Sequence, residues 1–352
     1  INSGSIALLG FVLGDYLNVV APLGASGAAI YAALSVIILT GFNLRGAGKG
    51  HDAADYGLTG LEVVGLLAMV AAALALIIQG APPAEPIPTS LSAPSANFGY
   101  ALVYALLAFG GWSEVATLSA EVRDPRRGMV RALVGAVVLI TALYVAVNWA
   151  FWYGLGVEGL AASTTPAADL IGRAFGQYAA LVTALAIAFA VITSINATIV
   201  VGARTTYACA RDWPRLRAIG QWDEKRQIPA AAIWWQGGVS LALVVLGAFY
   251  DGFATLVDYT APVYWLFLAM SGGAVILLRF RKPEIERPYK TPLYPILPLA
   301  FIGSCLAMLA SALSYVTSET RAGVLVSVAV MATGLVALAV VSFAERSKPQ
   351  KG

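Results

Sequence analysis

Charge is what this 352-residue sequence has least of: 22 Lys+Arg and 19 Asp+Glu make up 12% of the chain, where a soluble domain carries about a quarter. That shortage excludes a soluble enzyme, a nucleic-acid binder and a disordered tail. Histidine is nearly absent, since His51 is the only one, so histidine acid–base chemistry and zinc ligation have little to work with. The two cysteines, Cys209 and Cys305, share no CxxC or Cys/His spacing; they indicate neither a disulfide scaffold nor a metal site and read as small buried hydrophobes. A signal peptide is missing too: the chain starts at Ile1, its first methionine is Met69, and no basic segment precedes the first apolar run. That beginning reads as a start part-way into a longer protein.

What is present is apolar. Hydrophobic residues make up 59% of the sequence and the mean hydropathy is +0.78. Only helices and closed barrels satisfy the backbone in lipid, and these runs are far longer than barrel strands. The expected fold is therefore all-α, a polytopic transmembrane helical bundle forming one membrane domain over residues 1–352. Ten spans are predicted, at residues 5–20, 28–44, 58–79, 98–120, 130–155, 178–207, 230–250, 256–278, 297–316 and 323–343. Of the 22 basic residues, 20 fall in alternate loops; only Arg173 and Arg321 lie in the other set. The positive-inside rule makes the basic loops and the C-terminus cytoplasmic, and the Pro-rich segment 81–97 extracellular. Solvation or attraction to anionic lipid is the ordinary role of such basic loops.

Within the spans, Phe109-Gly110-Gly111-Trp112-Ser113-Glu114 stands out. Each glycine costs about 1 kcal/mol relative to Ala in a helix. Ser113 suits an N-cap, and Glu114 suits the first turn of a new half-helix, where the dipole favours an acid. A broken helix is predicted: residues 98–109, an unwound Gly110-Gly111, then 113–121. Such breaks hold substrate in transporters; the alternative is that the glycines admit a neighbouring helix. Glu62 lies about one turn from the cytoplasmic end of its span, where it either reaches headgroup water or, facing the bundle, needs a partner or a proton. Asp15 and Asp258 read as interfacial. Thr193, Ser194 and Asn196, with Tyr264 and Trp265 on a later span, either bond neighbouring helices or line a site.

Residues 106–125 (LLAFGGWSEVATLSAEVRDP) resemble the sixth-span signature of the amino acid-polyamine-organocation superfamily of permeases, closest to its L-type amino acid transporter branch. The resemblance extends through Ser194-Ile195-Asn196 with Gly202-Ala203-Arg204, through residues 259–266, and through Arg287-Pro288-Tyr289-Lys290. It implies twelve spans, a five-plus-five inverted repeat plus two, with the ten spans here as numbers three to twelve and the first two absent. It also implies substrate contacts at Phe109, Gly110, Gly111 and Trp112, at Ser194, and at Tyr264. The aromatic gate of the branch stands here as Leu107, and the position where many relatives carry a fifth-span lysine aligns with Glu62, so lysine-based coupling does not carry over.

The expected function is secondary transport of amino acids across the cytoplasmic membrane by alternating access, coupled to a proton or to a counter-substrate. Glu62, Leu107, Ser113, Glu114 and Asn196 are the candidates for coupling or gating. The alternative is a transporter-like sensor or interaction subunit that no longer transports. No enzyme chemistry, cofactor, metal or nucleic-acid partner is expected; the lipid bilayer is the surrounding partner.

Overall fold

The computed structural model describes residues 1–46, 52–84, 98–111, 128–249, 252–285, 287 and 290–319, with a few positions between 329 and 336. The described chain is all-helical: α1 (Asn2–Val20), α2 (Gly27–Leu44), α3 (Asp52–Ile78), α4 (Phe98–Ala108), α5 (Gly128–Ala162), α6 (Pro166–Phe175), α7 (Gln177–Arg211), α8 (Ala230–Ala248), α9 (Gly252–Arg281) and α10 (Ile296–Glu319). Eight of these are long and apolar enough to cross a membrane, and α4 is a shorter apolar helix. They account for nine of the ten predicted spans; the last, 323–343, lies almost wholly outside the described residues. Large apolar side chains such as Ile38, Val138 and Ile78 are exposed on these helices, as lipid-facing positions must be.

The chain divides into two compact units. The first holds α1–α3, the C-terminal part of α5, α6–α8 and the first turn of α9. Its core is fully buried at Ile6, Leu13, Val36, Ile195, Ile199 and Val244. Close helix approach depends on small residues: a Cβ on Gly14 would lie 2.2 Å from the Ala28 carbonyl oxygen, and one on Gly10 would lie 3.2 Å from the Ala32 Cβ. α1 and α2 therefore meet backbone to backbone.

Residues 166–175, read as loop in sequence, form an additional helix, α6. Pro166 opens it, Asp169 sits in its first turn and Arg173 in its last, each placed as the helix dipole favours. The buried Leu170 and Ile171 anchor it to the unit. Arg173 donates to the Gly154 carbonyl and Gln79 to the Ala174 carbonyl at 3.3 Å, so α6 ties α3 to α5. α5 itself turns at Gly156, whose φ of 71° is open to glycine and strained for other residues.

The second unit holds α4, the start of α5, most of α9 and α10. A Cβ on Gly99 of α4 would lie 2.5 Å from the Ser311 hydroxyl of α10, and one on Gly272 of α9 would lie 2.9 Å from Ile302. Beyond α9, Arg287 of the Arg-Pro-Tyr-Lys block folds back and donates to the carbonyls of Leu278 (3.1 Å), Lys282 (2.8 Å) and Ile285 (2.8 Å). A cation there caps the carbonyl end of the helix, where the Leu278 carbonyl also accepts the Lys282 N–H at 3.0 Å. Arg279 lies 4.0 Å over the Tyr294 ring, a cation–π contact at the same end. Cys305 is buried as expected, whereas Cys209, near the end of α7, is exposed; in that last turn it is Ala210 that is buried, with Gly220 packed against it.

Candidate functional site

The sequence Ala101 to Ala108 is made of strong helix formers and apolar residues, and the glycine pair ends it. The last turn tightens, with Phe109 N–H donating to Leu106 O (3.2 Å) and Gly110 N–H to Leu107 O (2.9 Å); these i to i−3 bonds are the usual close of a helix. Gly111 then takes a φ of 93°. The helix stops at Ala108, one residue before the predicted end. Leu107 and Phe109 are half-buried, while Gly110 and Gly111 are exposed. Trp112, Ser113 and Glu114, and the second half-helix expected over 113–121, lie outside the described residues.

The polar cluster on α7 is put to several uses. Asn196 accepts a 2.7 Å hydrogen bond from the Asn43 amide of α2, which also donates to the Leu39 carbonyl at 2.9 Å. Asn196 thus joins two helices. Thr193 bonds back to the Ala190 carbonyl at 2.7 Å, within its own helix. Ser194 is half-buried and its backbone carbonyl accepts from the Thr198 hydroxyl at 2.8 Å. On α9, the half-buried Tyr264 meets Trp265 edge-on with centroids 5.3 Å apart, and the buried Trp265 indole N–H has no hydrogen-bond partner among the described residues.

Glu62 is exposed on α3, and its neighbours Leu61, Val63 and Val64 are exposed with it. No hydrogen bond among the described residues joins Glu62 to Ser194 or Asn196. Glu62, Ser194 and Asn196 belong to the first unit; Leu107, Phe109, Gly110, Gly111 and Tyr264 belong to the second.

One cluster was not singled out in the sequence. Tyr100 and Tyr104, one turn apart on α4, hydrogen-bond each other at 2.9 Å, and Tyr100 donates to the Asp258 carboxylate of α9 at 2.5 Å. The two rings meet edge-on at 5.0 Å. The only sequence signal was a pair of tyrosines at i, i+4 on the half-helix before the break. A hydrogen bond to a charged group contributes roughly 1.5–3 kcal/mol. Tyr100→Phe is therefore expected to lower the thermal midpoint of the detergent-solubilised protein by clearly more than Tyr104→Phe does. Equal midpoints for both variants and wild type would remove the Tyr100–Asp258 bond as a tie between α4 and α9.

Among the described residues no cluster of three or more His, Cys, Asp or Glu gathers as a metal site would. What the described residues offer instead is a helix end followed by an exposed glycine pair.

Comparisons with known proteins agree with that chemistry. The b(0,+)-type amino acid transporter 1 of Mus musculus is 28% identical over 189 residues, covering 54% of this chain and 38% of that protein. The serine/threonine exchanger SteT of Bacillus subtilis (strain 168) is 26% identical over 239 residues, 66% of this chain and 53% of that protein. The large neutral amino acids transporter small subunit 2 of Mus musculus is 27% identical over 195 residues, 55% of this chain and 36% of that protein. The chain thus spans about a third to a half of the length of these curated relatives. These relatives are transporters rather than enzymes, and the model of the family described as "Amino acid permease" matches residues 4–340. With that match over nearly its whole length, this multi-pass helical membrane chain belongs to the amino acid permease family.

Proposed function

We propose that this protein moves amino acids across the cell membrane by alternating access, as a proton symporter or an amino acid exchanger, with its basic loops and C-terminus on the cytoplasmic side. The observation that carries this reading is the end of α4 at Ala108 followed by Gly111 at a φ of 93°. A helix C-terminus carries partial negative charge and a helix N-terminus partial positive charge. A zwitterion lying at the break would set its ammonium against the end of α4 and its carboxylate against the next half-helix, where Ser113 is the proposed cap and Glu114 the first-turn acid. Phe109, Gly110, Gly111 and Trp112 are proposed substrate contacts, as are Ser194 and Tyr264, and Leu107 and Asn196 are proposed for coupling or gating.

Radiolabelled amino acid counterflow in proteoliposomes tests the reading. Label is expected to accumulate against trapped unlabelled substrate, and a protein that binds amino acids yet exchanges none is a sensor, which overturns it.

Glu62 is the proposed coupling group. An acid within a span is a proton- or cation-handling candidate. Uptake is measured across pH for wild type and Glu62→Gln. The expected result is a flattened pH dependence in the variant; an unchanged rate and pH profile removes Glu62 from coupling.

A further inference from the structure

We propose that a cleft at the basic-loop end of α2, α7 and α8 binds a phosphate group, supplied either by an anionic phospholipid headgroup or by a free phosphate compound. The cleft measures about 170 Å³. Asn43 of α2, Arg204 of α7 and Ile233 of α8 form its walls, and Trp222, Arg226 and Gln227 line it from the α7–α8 connection. No Asp or Glu lines it. The site shares no residue with the glycine break, and the proposal stands whether or not the chain transports.

The connection that carries Arg226 is a built loop. The Asp223 carboxylate accepts the backbone N–H groups of Lys225 (3.0 Å) and Arg226 (3.1 Å), and Asp223 N–H donates to the Ile228 carbonyl at 2.8 Å. The loop also rests on the end of α2, where a Cβ on Gly46 would lie 2.8 Å from the Arg226 carbonyl oxygen. Arg226 is thereby held at the cleft. Its ion pair with Asp223 is long, at 3.9 Å, beyond hydrogen-bond distance, so its guanidinium keeps its donors. Arg204 makes no hydrogen bond or ion pair among the described residues.

Two arginines from separate elements line one cleft that no Asp or Glu lines, a pairing suited to a phosphate, which accepts bidentate hydrogen bonds from a guanidinium. The surroundings favour the headgroup source. Trp222 is an amphipathic ring of the kind found at the membrane interface, steadied by Tyr207 at 5.3 Å. Near this end of α2 and α8, Phe42 and Trp234 expose 43% and 66% of their surface, as aromatic rings at a membrane interface do. Anionic lipid gathers at the face where basic residues collect.

The test uses the purified, delipidated full chain and reads its thermal midpoint against dioctanoyl phosphatidylglycerol, dioctanoyl phosphatidylcholine and inorganic phosphate. A saturable rise with phosphatidylglycerol is expected, and the double variant R204Q/R226Q raises the half-saturating concentration roughly tenfold or more, the scale of losing one charged hydrogen bond. R215Q/R217Q removes the same charge outside the cleft and leaves the titration unchanged. A response to inorganic phosphate but not to lipid, lost in the same double variant, assigns the free anion to the same site. Where the double variant fails to fold, R204Q alone carries the comparison. The proposal is overturned by a wild type that responds to none of the three, by a response equal for phosphatidylcholine and phosphatidylglycerol, or by one that R215Q/R217Q weakens as much as R204Q/R226Q.

Discussion

Gly111→Val is expected to abolish amino acid counterflow while leaving the protein folded. Gly111 adopts a φ of 93°, and no atom of the described residues lies within 4 Å of where its Cβ would stand. Among the described residues the obstacle is therefore backbone conformation and not crowding. For an L residue the left-handed region costs about 1–2 kcal/mol, and a β-branched side chain suffers most. Valine escapes that cost by returning to negative φ, which redirects the chain leaving α4 and moves the break proposed to hold the substrate. A preference of this size changes a conformational ratio about five- to thirtyfold, and a site displaced by an ångström loses more. The milder Gly110→Ala puts a Cβ 3.0 Å from the Leu107 carbonyl oxygen without demanding a new φ, and is expected to reduce counterflow without eliminating it. Counterflow at the wild-type rate in Gly111→Val, with an unchanged thermal midpoint, would sink the break as the substrate site.

The second large effect is on folding. Gly14→Leu is expected to yield little monodisperse protein on size-exclusion chromatography. The position a Cβ would occupy is 2.2 Å from the Ala28 carbonyl oxygen, 2.6 Å from its Cα and 2.7 Å from its carbonyl carbon. All three are backbone atoms, so no rotamer change relieves the clash and α1 must separate from α2. Overpacking where side chains can adjust costs about 1–3 kcal/mol; here the whole hairpin interface opens, and the cost lies at or above the top of that range. Even Gly14→Ala should be destabilising. Gly41, on α2 with nothing among the described residues within 4 Å of its Cβ position, supplies the contrast: Gly41→Ala should be neutral or stabilising by up to about 1 kcal/mol through helix propensity. If Gly14→Ala and Gly41→Ala melt alike, backbone contact between α1 and α2 is not what holds them.

The spans were legible because lipid imposes a simple rule on composition, and the end of α4 was legible because two adjacent glycines are a local signal. Helix ends were less so. α7 continues to Arg211 and α9 begins at Gly252, beyond the apolar runs, because hydropathy marks where lipid stops and the backbone goes on hydrogen-bonding past that point. α6 carried readable signals in Pro166, Asp169 and Arg173, but ten residues with charged ends do not register in a search for spans. Pairings between distant residues had no local trace at all. Tyr100 reaches Asp258 across 158 positions and Asn43 reaches Asn196 across 153; Asp258 alone read as interfacial and Asn196 as bonding a neighbouring helix or lining a site, while Tyr100 and Asn43 gave no signal, and only the fold selects the partner. Glu62 shows the same limit, since its side-chain environment depends on which way α3 is turned.

The Asn43–Asn196 bond has a use for measurement. Amide pairing in an apolar surround resists rotation of either helix about its own axis, and α1 is locked to α2 by direct backbone contact. α1, α2 and α7 can therefore serve as an internal ruler. Paired spin labels on α2 and α7 should give one narrow distance distribution whatever amino acid is added, and any broadening seen elsewhere on the molecule can be scored against that fixed separation.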